Sequence, residues 1–170
     1  MKEKILIALF GLYFFVCLGG IGGAAYLWHH TNISPEQPLA FSHVRHVGEL
    51  KLECTHCHQY ADKGPRATVP AMSICAKCHQ KMTSESEDVK KLQEMFKENQ
   101  PVQWNKVHDL PWHVVFTHKR HIKAGVECAT CHGQLEGMER VRRVRSLEMG
   151  WCVGCHRKND APTDCWTCHK

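Results

Sequence analysis

Mostly irregular structure with short α-helices, preceded by one transmembrane helix, is the fold class that this sequence predicts. Three observations carry the expectation. Five Cys-x-x-Cys-His pentapeptides recur along the 170 residues, too little chain lies between them for separate protein cores, and one long uncharged apolar run opens the sequence.

The pentapeptides are Cys54-Thr-His-Cys57-His58, Cys75-Ala-Lys-Cys78-His79, Cys128-Ala-Thr-Cys131-His132, Cys152-Val-Gly-Cys155-His156 and Cys165-Trp-Thr-Cys168-His169. This is the attachment pattern of c-type haem. Two thiols bond the porphyrin and the adjacent histidine supplies a proximal axial nitrogen. Zinc ribbons and disulfides also use paired cysteines. Neither requires a histidine directly after the second cysteine, and here it is present in all five. The expectation is five covalently attached haem c groups, held by Cys54, Cys57, Cys75, Cys78, Cys128, Cys131, Cys152, Cys155, Cys165 and Cys168. The proximal iron ligands are His58, His79, His132, His156 and His169. The eleventh cysteine, Cys17, lies in the apolar run and reads as a small hydrophobe.

Residues Ile5 to Trp28 are 24 uncharged residues, long enough to cross a bilayer with some tilt. A cleaved signal peptide has a shorter apolar region and a small-residue cleavage site. Residues 1–30 are therefore expected to be an uncleaved signal anchor. Lys2 and Lys4 stay cytoplasmic by the positive-inside rule, which places residues 31–170 in the periplasm of a cell with an inner membrane. The run Gly19-Gly20-Ile21-Gly22-Gly23-Ala24-Ala25 would let another membrane helix approach closely.

The exported part offers about 28 residues per motif, so cofactors must form much of its interior. The clearest helix runs from Ser84 to Asn99, with Ser84 as N-cap, acidic residues in the first turn and Val89, Leu92 and Phe96 on one face. Pro101 stops it. The formal charge of +5 misleads, because each ferric haem brings two propionates and a core charge of +1, so that five haems cancel it, and reduction of the irons makes the protein net negative. No nucleic-acid partner follows. Arg140, Arg142, Arg143 and Arg145 are propionate partners, a docking edge or a solvated strand.

Phe41-Ser-His43-Val-Arg-His46 matches Phe116-Thr-His118-Lys-Arg-His121, and the motifs at Cys75 and Cys152 each follow a methionine by three residues. The chain reads as two duplicated two-haem modules, 41–82 and 116–158, with a fifth haem at 165–169. The distal iron ligands expected are His43, His46, His118 and His121, with His108 fifth and His113 in reserve. Histidines three residues apart cannot take opposite faces of one haem, so each such pair staples two haems. Met72 and Met149 read as packing against the ring, His56 as a bystander, and His29 and His30 as interfacial.

These motifs resemble the class III multihaem cytochromes c. The fuller run Val107-His108-Asp-Leu110-Pro111, Val115-Phe116-Thr-His118, His121, Ala124-Gly125-Val126, Cys128, Cys131-His132-Gly133 and Met149-Gly150-Trp151-Cys152 resembles the pentahaem, membrane-anchored cytochrome subunit of alternative complex III, a quinol:electron-acceptor oxidoreductase. That resemblance implies electron transfer from quinol toward a monohaem cytochrome or an oxidase. The partners it implies are an iron–sulfur/molybdopterin-type subunit and polytopic membrane subunits. It also implies that His118 caps the iron held by His132, while His121 reaches the haem at Cys152 and Cys155 or one in the first module. The related menaquinone reductase complex has a similar subunit with one more haem, running electrons toward quinone. A multihaem reductase enzyme would need an open iron site, and a stand-alone quinol dehydrogenase would carry a methionine two residues after the first motif's histidine, where Tyr60 stands. No catalytic triad, nucleotide loop or substrate pocket is readable, so the expectation is an electron carrier of an oxidoreductase complex, without a catalytic site of its own.

Overall fold

The computed structural model describes residues 2–169, without the side chains of residues 29–32. The interfacial role expected of His29 and His30 therefore lies outside the described residues. Helix α1, Lys2–Ile33, has 32 residues and extends for about 48 Å. Its span Lys2–Trp28 has a mean hydropathy of 2.4, and none of its most apolar stretch is buried within the chain. An apolar helix of this length can cross a membrane, as an anchor or as a signal sequence.

Beyond α1 the elements are short. A π-helical turn covers Val44–Glu49, and the α-helices are α2 (Cys54–Cys57), α3 (Met72–His79), α4 (Glu87–Lys97), α5 (His118–Lys123), α6 (Cys128–His132), α7 (Met149–Lys158) and α8 (Cys165–Cys168), with a 3₁₀ turn at Leu135–Gly137. Among the described residues there is no β-strand, only the isolated bridge between Val114 and His169. Every Cys-x-x-Cys lies on a helical turn, so its two thiols share one face. Each of these helices is entered from an extended residue, at Glu53, Ala71, Glu127, Glu148 and Asp164.

Helix α4 begins later than the sequence pattern predicts. Ser84 does not cap it. Its hydroxyl accepts from the Ser86 N–H at 3.2 Å, a local turn that leaves Ser86 at the N-cap. Asn99 in the left-handed region (φ 54°) then ends the helix before Pro101. The helix buries Leu92 and leans on α3, where Gln93 donates to the His79 and Met82 carbonyls, each at 2.8 Å.

The segments beginning at Phe41 and Phe116 share their local geometry. Lys51 (φ 56°) and Gly125 (φ 77°), each three residues before a motif cysteine, both adopt the left-handed conformation. Between His43 and Cys54 lies one residue more than between His118 and Cys128. The π-helical turn takes up that residue, since a π-turn is an α-turn widened by one position.

The polypeptide has almost no core of its own. Among the described residues the buried apolar side chains are Leu39, Ala61 and Leu92. Its accessible surface of 13329 Å² far exceeds the roughly 8,500 Å² of a compact 19.5 kDa monomer. What joins the halves is mostly backbone. His43 N–H donates to the Met138 carbonyl at 3.2 Å, and His118 and Lys119 N–H groups donate to the Pro65 and Gly64 carbonyls, both at 3.1 Å.

The π-turn packs on the 3₁₀ turn at Gly48, where a Cβ would stand 2.7 Å from the Glu136 carbonyl oxygen. That neighbour is backbone and cannot swing aside. Gly48→Ala is expected to cost about 1–3 kcal/mol and lower the denaturant midpoint of the holoprotein. An unchanged midpoint would show that this contact does not hold the halves together.

Candidate haem centres

The geometry of each site begins with an aromatic ring. Phe41 stacks on His46 with ring centroids 4.4 Å apart and meets His43 edge-on at 4.9 Å. Phe116 repeats this, 4.5 Å from His121 and 4.9 Å from His118. In both segments the ring fixes two imidazoles three residues apart and turns them away from each other.

Three of these four histidines face a motif histidine. His46 and His79 have ring centroids 5.9 Å apart, and His121 and His156 are 6.0 Å apart. His118 and His132 lie 6.3 Å apart and nearly parallel, at 7°. His43 neighbours His58, whose charge acts on it. Two imidazole nitrogens bound about 2 Å either side of one iron put their ring centroids about 6 Å apart. The residues present therefore fit the group.

The fifth facing pair differs from the sequence expectation. His113 stacks on His169, with centroids 5.5 Å apart and planes at 25°. The Val114–His169 bridge and the Val115 N–H to Cys168 carbonyl bond (2.7 Å) draw His113 to the last motif. His108, the first choice from sequence, instead sits at the edge of His132, its Nε2 3.4 Å from His132 Nδ1. His56 is exposed in α2. Met72 and Met149 begin α3 and α7, and Met149 is exposed.

Hydrogen bonds orient most of these rings. Nδ1 of His46, His121, His118, His58 and His156 meets the carbonyl of Ser42 (2.8 Å), Thr117 (2.9 Å), Pro65 (2.9 Å), Thr68 (2.5 Å) and Pro162 (2.6 Å) respectively. A carbonyl at Nδ1 fixes the Nδ1–H tautomer and leaves Nε2 as a lone-pair donor, the arrangement a metal-ligating histidine requires. Backbone acceptors leave little trace in sequence. The Ser42 and Thr117 carbonyls were nevertheless findable, since both lie four residues before a histidine in the repeated Phe-[Ser/Thr]-His frame.

Burial pushes the His43 imidazole down to about 4, with His58 and His46 adding to it. Burial does the same to His108, also to about 4, helped by His132, Arg143 and His118. His79 and His132 are lowered for the same first reason. All four are thereby kept neutral, as an iron ligand or its hydrogen-bond acceptor must be.

The thiols report which motifs adjoin. Burial raises Cys57, with Cys75 adding to it, and raises Cys54, with Cys128 adding to it. Burial likewise raises Cys131, next to Cys155 and Cys152, and Cys152, next to Cys168. No two of the eleven cysteines are joined in a disulfide.

This geometry fits the class of site found in multihaem c-type cytochromes. Residues 114–170 match the family described as cytochrome c7 and related cytochrome c, which implies covalently bound c-type haems. The chain is also similar to the menaquinone reductase multiheme cytochrome c subunit of Nitratidesulfovibrio vulgaris. The two are 26% identical over 162 residues, covering 79% of this chain and 77% of that protein. That relative carries the name of the quinone-reducing complex, the second of the two resemblances drawn from the motifs.

His113→Ala is expected to open one coordination position in the holoprotein, seen as carbon monoxide binding to one haem of the reduced protein. No carbon monoxide binding in this variant would remove His113 from the ligand set.

Proposed function

We propose that this chain is the electron-relay subunit of a membrane-bound, quinone-linked oxidoreductase. It holds five c-type haems, anchored by α1 with residues 31–170 on the periplasmic side of the inner membrane. The observation that carries this reading is the facing imidazoles at four of the five motifs, with His43 and His58 as neighbours at the other, a set that would fill both axial positions of every iron. When bound, a bis-histidine haem supplies a low-spin one-electron iron couple. The chain's own residues set the rest.

Within this proposal the ligand pairs are His43 with His58, His46 with His79, His118 with His132, His121 with His156, and His113 with His169. The duplicated modules are residues 41–82 and 116–158, with the fifth site at 165–169. The neighbouring thiols support the order Cys75/Cys78, Cys54/Cys57, Cys128/Cys131, Cys152/Cys155, Cys165/Cys168 for the sites. The pairs His43/His46 and His118/His121 tie the two sites of each module. The Pro65 carbonyl, holding His118, ties the modules to each other. Sites in a line with short separations are what a relay needs, and a surplus of histidines secures every axial position.

The resemblance to alternative complex III supports the quinol-oxidising direction. Electrons would pass toward a monohaem cytochrome or an oxidase, alongside an iron–sulfur/molybdopterin-type subunit and polytopic quinone-binding subunits. The named relative supports a second reading, a relay toward menaquinone.

Purification of the full chain from detergent-solubilised membranes tests the proposal. The expected result is five haems per chain by pyridine haemochrome and mass spectrometry, all low-spin, together with polytopic membrane subunits. A solitary chain that binds carbon monoxide in its native state would contradict it. Rapid haem reduction by quinol selects the first direction, and menaquinone-driven oxidation of the reduced complex selects the second.

A further inference from the structure

The sequence supplies more histidines than five irons require, and His108 is one the facing pairs leave over. Its position is nonetheless built. Asn105, three residues before it, is held by Gln37 and Glu36. The Asn105 N–H donates to Gln37 Oε1 (2.9 Å), Gln37 Nε2 donates to the Asn105 carbonyl (2.9 Å), and Asn105 Nδ2 donates to the Glu36 carbonyl (2.6 Å). Residues 33 and 34 are tied in turn to the arginine-rich strand. Arg143 N–H donates to the Ile33 carbonyl at 2.7 Å, and Ser34 Oγ donates to the Val141 carbonyl at 3.1 Å. The Lys106–Asp109 ion pair (3.5 Å) closes the loop around His108.

Held this way, the His108 ring stands at 79° to that of His132, with centroids 4.4 Å apart. It cannot share an iron with His132, because centroids 4.4 Å apart leave no room for an iron between the rings, whereas the 6.3 Å separation of His118 and His132 does. Its Nε2 instead lies 3.4 Å from His132 Nδ1. Five other paired histidines meet a backbone carbonyl at this atom, while the Nδ1 atoms of His43 and His79 are buried without a partner. Among the described residues, His132 is the paired histidine whose Nδ1 meets a side chain.

The geometry points to His108 as a positioning residue that accepts the Nδ1–H of His132, fixing that ligand's tautomer and setting the reduction potential of the haem attached at Cys128 and Cys131. This rests on the assignment of His132 and His118 as axial ligands proposed above. An acceptor at Nδ1 makes the imidazole a stronger donor through Nε2, which favours ferric over ferrous iron and holds the potential down. The haem so tuned occupies the middle site of the five. A side-chain acceptor at that place makes its potential adjustable by one substitution, which a backbone carbonyl does not allow.

The test compares the full detergent-solubilised chain with its His108→Leu and His108→Gln variants by potentiometric titration and EPR. His118→Ala identifies the haem concerned by turning it high-spin. His108→Leu is expected to leave all five haems low-spin and to shift that haem's redox equilibrium about tenfold toward ferrous, about 59 mV for one electron. His108→Gln, whose amide oxygen can accept the same N–H, is expected to return most of the shift. Equal shifts in both variants, or none in either, would overturn the assignment. A high-spin haem in His108→Leu would overturn it too, by making His108 a ligand. If instead His118→Ala leaves every haem low-spin, the axial assignment itself fails and the inference falls with it.

Discussion

With Leu39, Ala61 and Leu92 as the buried apolar residues described, the chain beyond α1 cannot close on its own side chains. Folding must offset about 1–2 kcal/mol of backbone entropy per residue, and burial at about 25 cal/mol per Å² needs far more apolar area than three residues provide. The large flat apolar faces of covalently held porphyrins supply that area. The other features follow from this constraint. Helices are one to three turns long because they have only to present two thiols and an imidazole. Loops run between sites, and backbone hydrogen bonds such as His118 to Pro65 do the joining that side-chain packing does in other domains.

The same constraint explains why ligands are doubled on short turns. A chain with about 28 residues per site cannot devote a separate element to each axial ligand. Placing His43 with His46, and His118 with His121, lets one turn serve two neighbouring sites. The aromatic ring between them, Phe41 or Phe116, keeps the imidazoles pointed apart. Under the proposed ligand assignment, fold and relay are one arrangement, since the residues that join sites are those that complete them.

Much of this is legible in the sequence because covalent attachment demands a fixed spacing. The five motifs, the α1 span and the Phe-[Ser/Thr]-His frame all express local rules, and the structure keeps them within single turns. What escaped were long-range choices. His108 and His113 are five residues apart in one irregular segment, and nothing in their neighbours shows which faces a motif. That is settled by the bridge from Val114 to His169, 55 residues away, and by the fastening of Asn105 to Gln37. The start of α4 escaped for a smaller reason, the capture of the Ser86 N–H by Ser84. The π-turn at Val44–Glu49 was visible only as one extra residue in a spacing, which by itself does not say where the residue goes.

The dependence of the fold on its cofactors is open to direct measurement. The segment beyond α1 can be produced with and without the haem-attachment machinery and compared by small-angle scattering and circular dichroism. The account predicts that the haem-bearing chain is compact, while the haem-free chain is expanded, close to the dimension of an unfolded chain of its length, and lacks a cooperative thermal transition. A haem-free chain that is equally compact and melts cooperatively would contradict it.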